Sequence, residues 1–73
     1  MMFYFRSNIV LLMNQNDLSL RGLSREAGIS RTSIRNILKL EDFSNVTLGS
    51  AIKLSEYFDI SLDDLLYRDL GKD

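Results

Sequence analysis

In 73 residues the chain has no cysteine, no histidine and no proline. Without cysteine there are no disulfides, and without either Cys or His the common zinc ligand sets are missing, so a small fold must stand unstapled, which suits a reducing cytoplasm. The same gaps remove the usual nucleophile and the usual acid–base side chain. No Gly-rich phosphate loop is present either, and the acidic pairs Glu41 with Asp42 and Asp63 with Asp64 are adjacent in sequence rather than convergent. The expectation is a protein that is not an enzyme and takes no cofactor and no metal. The absence of proline means that no helix is forced to stop by one. Long apolar runs are missing too: Arg6, Ser7 and Asn8 separate the apolar residues 1–5 from residues 9–13, too little for a membrane span, and no small-residue cleavage site follows. A cytoplasmic protein with no membrane contact is expected.

What is present is apolar content of 45% without low-complexity runs, the composition of a folded globular chain. Its length allows one domain, residues 1–73, with a core over residues 3–67 and a loose tail over residues 68–73. A single core of this size is marginal, and a second subunit often contributes.

The informative stretch is residues 19–39, SLRGLSREAGISRTSIRNILK. Ser19 offers a hydroxyl to the free amides of a helix start, and Leu23 and Ala27, four apart, give one narrow apolar stripe. Gly28 ends the pattern as the residue that takes the left-handed conformation at least steric cost, and Ser30 gives a fresh start signal. In the second helix Ile34, Ile37 and Leu38 fall at spacings of three and four, leaving Arg31, Thr32, Ser33, Arg35, Asn36 and Lys39 outward. Two helices joined by a tight Gly-containing turn describe a helix-turn-helix, whose second helix is free to enter the major groove.

On Leu23, Ala27, Gly28, Ile29, Ile34 and Ile37 the chain resembles the Cro and repressor type of helix-turn-helix proteins, the lambda-repressor-like fold of phage and bacterial regulators. Residues 51–66, AIKLSEYFDISLDDLL, look like that family's fourth helix and short fifth, so the resemblance covers residues 5–66. It implies an all-α, compact five-helix domain with the helix-turn-helix on helices two and three. Four departures stand out. Leu20 replaces a glutamine that in many relatives bonds a phosphate, a bond leucine cannot make. Ser24 replaces a small apolar residue, so its hydroxyl needs a partner, such as a carbonyl one turn back. Leu38 and Leu40 replace a frequent Glu and Gly.

The remaining patterns complete the helices. Phe5, Ile9 and Leu12 form the inward face of a first helix over about residues 3–14, leaving Tyr4, Val10, Leu11 and Met13 as an apolar surplus. Residues 15–17 connect to Ser19, Asn and Asp tolerating turn geometry. Gly22 sits at an exposed place in helix two, which costs about 1 kcal/mol relative to alanine. Phe43 folds back from the loop after helix three. Thr47 caps a fourth helix that turns Ala51, Ile52, Leu54 and Phe58 inward, with Gly49 and Ser50 near its start open to a close neighbour, a packed helix or a phosphate. Ser61 with Asp64 has the form of a capping box opening a last helix that buries Leu62, Leu65 and Leu66.

Net charge is −1, but it is unevenly placed. Between Ser19 and Leu40, Arg21, Arg25, Arg31, Arg35 and Lys39 stand against Glu26, a balance of +4, whereas residues 41–73 carry −5. The positive charge is concentrated on the motif that would touch DNA. Arg31 and Arg35 suit guanine edges, Asn36 adenine, and Thr32 and Ser33 thymine methyls, phosphates or caps. Arg21, Arg25, Ser30, Lys39 and Asn45 suit the DNA backbone. One motif covers few base pairs, so the function expected is a sequence-specific transcriptional regulator, Cro-like or repressor-like, binding double-stranded DNA as a homodimer on half-sites about 34 Å apart. The competing expectation is a module of the same fold that binds a protein partner, as an antitoxin or inhibitor does.

Overall fold

The computed structural model describes residues 4–39 and 47–72. Among them are five α-helices, α1 (Phe5–Gln15), α2 (Leu20–Ala27), α3 (Arg31–Lys39), α4 (Leu48–Phe58) and α5 (Leu62–Tyr67), followed by a 3-10 turn at Leu70–Lys72. No strand occurs among the described residues.

The helix ends follow from short polar side chains. A helix leaves its first amides without intrahelical partners, and at four starts, the one at Ser30 being described with the site below, a hydroxyl accepts from one of them. Ser19 accepts from the Gly22 amide at 3.0 Å, Thr47 from that of Ser50 at 3.2 Å, and Ser61 from that of Asp64 at 3.1 Å. Asp63 and Asp64 lie in the first turn of α5, where negative charge favours the helix dipole. At the other end of α2 Gly28 is left-handed, with φ +72°, and its amide bonds the Ser24 carbonyl at 3.1 Å. Asp17 and Asp59 also take positive φ, 56° and 55°, the first in the connection assigned to Asn and Asp from sequence.

The helices bury one contiguous core of Phe5, Ile9, Leu12, Met13, Leu23, Ile29, Ile34, Ile37, Ala51, Leu54 and Leu65. α1 packs on α3 and α5, α2 on α3 and α4, and α4 on α5. Thus α3 receives apolar support from two sides and keeps the rest of its surface in solvent. Leu20 and Leu38, two of the departures from the family pattern, are partly buried against this core.

Several expectations need correction. Met13 is buried rather than surplus, because it lies one turn beyond Ile9 on the edge of the inward stripe. Only Val10, 39% exposed, remains as an exposed member of the α1 surplus, Tyr4 and Leu11 being half-buried. Ile52 is 39% exposed rather than inward: at 100° per residue it stands well off the direction shared by Ala51, Leu54 and Phe58. Gly22 is half-buried, and a Cβ there would come within 3.3 Å of the Ser19 hydroxyl that caps its own amide. Phe43 lies outside the described residues.

The largest difference concerns Asn8 and the end of the chain. Asn8 is 1% exposed, set between Phe5, Ile9 and Leu12 on the inward face of α1. Its Nδ2 donates to the carbonyls of Leu65 at 2.8 Å and Arg68 at 2.7 Å, and its Oδ1 accepts from the Leu70 amide at 3.1 Å. The Tyr4 amide adds a bond to the Leu66 carbonyl at 2.8 Å. Residues 68–72, expected as a loose tail, are therefore held to the first helix. A buried amide with its bonds made is tolerable, whereas one with its partners orphaned is not. Asn8→Ala is expected to lower the free energy of unfolding by roughly 2 to 4 kcal/mol, since it leaves two carbonyls and an amide unpaired. Urea denaturation measures this, and a loss below about 0.5 kcal/mol would show that solvent replaces these bonds without penalty.

Candidate nucleic-acid interface

α3 is nine residues long, too short to be stable alone, so its exposed face is set by what it buries. Ile34 and Ile37 are fully enclosed and Leu38 is half-buried. With the core on that side, Arg31, Arg35, Lys39, Thr32 and Asn36 fall in that angular order on a continuous arc of about 140°, and all five are exposed. Three cations, a hydroxyl and an amide thus share one open face.

Ser30 and Ser33 sit at the start of this helix and are occupied there. The Ser33 amide donates to the Ser30 hydroxyl oxygen at 3.1 Å, and the two hydroxyls bond each other at 2.9 Å. Ser33 is half-buried and Ser30 exposed, so of the roles that sequence allows for Ser33 the structure displays the capping one. On α2, Arg21 and Arg25 point away from buried Leu23 and are exposed. No side-chain hydrogen bond or ion pair joins Arg21, Arg25, Arg31, Arg35 or Lys39 to any described residue. Asn45 lies outside the described residues.

The corner between the helices is braced from within and from outside. The Ser24 hydroxyl donates forward to the Ile29 carbonyl across the turn, not to a carbonyl one turn back. The reason is local: left-handed Gly28 swings the chain round so that the Ile29 carbonyl returns to the end of α2. From α4, Lys53 Nζ donates to the Gly28 carbonyl at 3.1 Å, and the Tyr57 hydroxyl donates to the Glu26 carboxylate. Arg6 of α1 donates its Nε–H to the Leu38 carbonyl in the last turn of α3. Sequence reasoning gave these three side chains no role, because each bond spans 25 residues or more and no local pattern announces it.

The described residues contain no group of three or more His, Cys, Asp or Glu placed to hold a metal ion, and no helix long and apolar enough to cross a membrane. The family model for the Cro/C1-type HTH DNA-binding domain matches residues 8–70, which takes in all of the core but Phe5, the corner and the arc just described. The chain belongs to the Cro/C1-type helix-turn-helix DNA-binding domains. Neither a curated protein nor a solved structure matches it. In this Cro/C1-type domain α2 and α3 are the helix-turn-helix, and Glu26, the one acid between Ser19 and Leu40, is engaged by α4.

That engagement has a pH signature. The hydrogen bond to Glu26, with smaller contributions from burial and from the carboxylate's charge, raises the Tyr57 pKa above the ordinary 10.0. A phenol whose pKa rises on folding adds stability that is complete below its unfolded value and disappears as pH climbs through the folded one. Phenolate absorbance is expected to show one tyrosine ionising later than an ordinary one, and Glu26→Ala, which leaves no acceptor, should return it toward 10.0. An unchanged titration curve in that variant would contradict the bond. Separately, Ser30→Ala should destabilise the domain by about 1 kcal/mol through loss of the α3 cap, measured by thermal or urea unfolding; no change would remove that role.

Proposed function

We propose that this Cro/C1-type domain is a sequence-specific transcriptional regulator that lays α3 in the major groove of double-stranded DNA as a homodimer on a palindromic operator. The observation that carries this is the exposed arc of α3, with its cations unpaired to any described residue and its apolar face fixed in the core. The guanidiniums of Arg31 and Arg35, one turn apart, each match the two acceptors of a guanine edge, and Asn36 matches the donor and acceptor of adenine. Thr32 offers a methyl to thymine, and Ser33 reaches a base only by giving up its bond to Ser30. Arg21, Arg25, Ser30, Lys39 and Asn45 take the phosphates and set register without reading sequence. The acidic second half of the chain limits non-specific attraction.

Two copies are needed for useful specificity, on half-sites about 34 Å apart. Val10 on α1 and Tyr67 on α5, both exposed, mark the surfaces proposed for that contact. The compartment proposed is the cytoplasm.

A second reading is a protein-binding module on the same fold, such as an antitoxin or inhibitor. It is favoured by Leu20, which packs on the core where many relatives bond a phosphate, and by Leu48 and Ile52, 67% and 39% exposed one turn apart on α4.

The experiment is selection from a randomised duplex pool followed by shift assays across a salt series. Binding is expected to weaken steeply with salt, and Arg35→Ala to weaken binding of the selected duplex by between about fivefold and a hundredfold. Absent or salt-insensitive binding overturns the regulator. A stoichiometric protein complex indifferent to Arg31→Ala and Arg35→Ala would replace it with the second reading.

A further inference from the structure

α3 is held at its carboxyl end, and the corner before its amino end is braced, by side chains from helices outside the motif. At its carboxyl end Arg6 of α1 bonds the Leu38 carbonyl, one of the last-turn carbonyls that an α-helix leaves without a partner, at the negative end of its dipole. At the turn before its amino end Lys53 of α4 bonds the Gly28 carbonyl, and Tyr57, one turn along the same helix, bonds Glu26 in the last turn of α2. The contrast with the motif's own cations is sharp. Arg21, Arg25, Arg31, Arg35 and Lys39 have no described side-chain partner, whereas Arg6 and Lys53 are committed to backbone carbonyls.

We propose that Arg6, Lys53 and Tyr57 are positioning residues for DNA recognition, fixing the carboxyl end of α3 and the corner that leads into it relative to the core without touching the DNA. This rests on the groove-docking function proposed above. Reading base edges requires side chains to be placed within about half an ångström and 10 to 20° of the productive geometry. A nine-residue helix cannot hold itself to that tolerance, and the burial of Ile34 and Ile37 anchors only one side of it. Bonds that order its ends in the free protein remove a loss of freedom that binding would otherwise have to offset. Tyr57 has a second effect: it draws the carboxylate of Glu26 toward α4, so that the motif's one acid is engaged there rather than with the neighbouring cations.

Arg6 has a rival role. Its guanidinium has other N–H groups beyond the one bonded to Leu38, and a phosphate contact through them would also make it matter for binding. Arg6→Gln separates the two, because the glutamine Nε2 stands the same number of bonds from Cα as the arginine Nε and keeps an N–H donor while losing the charge. Arg6→Met loses both. Tyr57→Phe removes a hydroxyl at no change of charge at neutral pH.

Affinities are measured for the full chain with a duplex that the wild-type chain recovers from a randomised pool, and with a scrambled duplex of equal length, over a salt series. Thermal unfolding is recorded for each variant. Arg6→Met and Tyr57→Phe are expected to weaken binding of the selected duplex by about two- to tenfold, more than that of the scrambled one. The slope of log affinity against log salt should stay at the wild-type value, and Arg6→Gln should bind within about twofold of wild type. The proposal is overturned if Arg6→Gln and Arg6→Met weaken binding equally and each flattens the slope by about 0.9, the mark of a lost phosphate contact. It is equally overturned if Arg6→Met and Tyr57→Phe bind as wild type does. A wild-type chain that shows no salt-dependent binding to any duplex fails at an earlier step, on the function itself, before any variant is compared.

Discussion

Gly28 holds φ at +72°, a conformation that crowds the Cβ of an L residue against the chain, and the direction of everything after it depends on that turn. Its amide closes the end of α2 on the Ser24 carbonyl, the Ser24 hydroxyl catches the Ile29 carbonyl, and Ser30 opens α3 one residue later. Ile29 is thereby driven into the core, 6% exposed, between two helices whose apolar stripes both face it. The same rotation that buries Ile34 and Ile37 leaves Arg31, Arg35 and Lys39 in solvent, since a helix cannot turn one face inward without turning the other out. Core formation and presentation of the cationic face are one event.

A chain of this size without cysteine or proline has few means of holding its ends. It uses a buried amide. Asn8 replaces an apolar residue on the inward stripe of α1 and exchanges hydrophobic contact for three hydrogen bonds to the segment around and after α5. Hydrogen bonds inside a low-dielectric core are directional as well as strong, so this choice fixes where the chain end lies, which a leucine would not do.

Charge is handled with the same economy. Of the acids of the second half, Asp59 sits at a turn and Asp63 and Asp64 at a helix start, where backbone geometry or the helix dipole favours them. The cations of the motif stay outward. Leu20, in the first turn of α2, is packed against the core, so this position contributes apolar contact to the base of the motif.

Local pattern determined the helices. Spacings of three and four, hydroxyls at Ser19, Ser30, Thr47 and Ser61, and glycine at position 28 specified where helices begin, where the corner lies and which residues of α3 face out, because all of these depend on neighbours within one or two turns. The stripe at Phe5, Ile9 and Leu12 even encloses Asn8 at the right spacing, but a polar side chain on an apolar stripe has no meaning until its partners are known. Those partners lie 57 to 62 residues away, and the bonds of Arg6, Lys53 and Tyr57 cross 25 to 32. Only the packing of α1 on α5 and the chain end, and of α1 and α4 against the motif, decided that these side chains meet a carbonyl, an amide or a carboxylate, since contact over such separations is a property of the folded arrangement and leaves no periodicity along the chain.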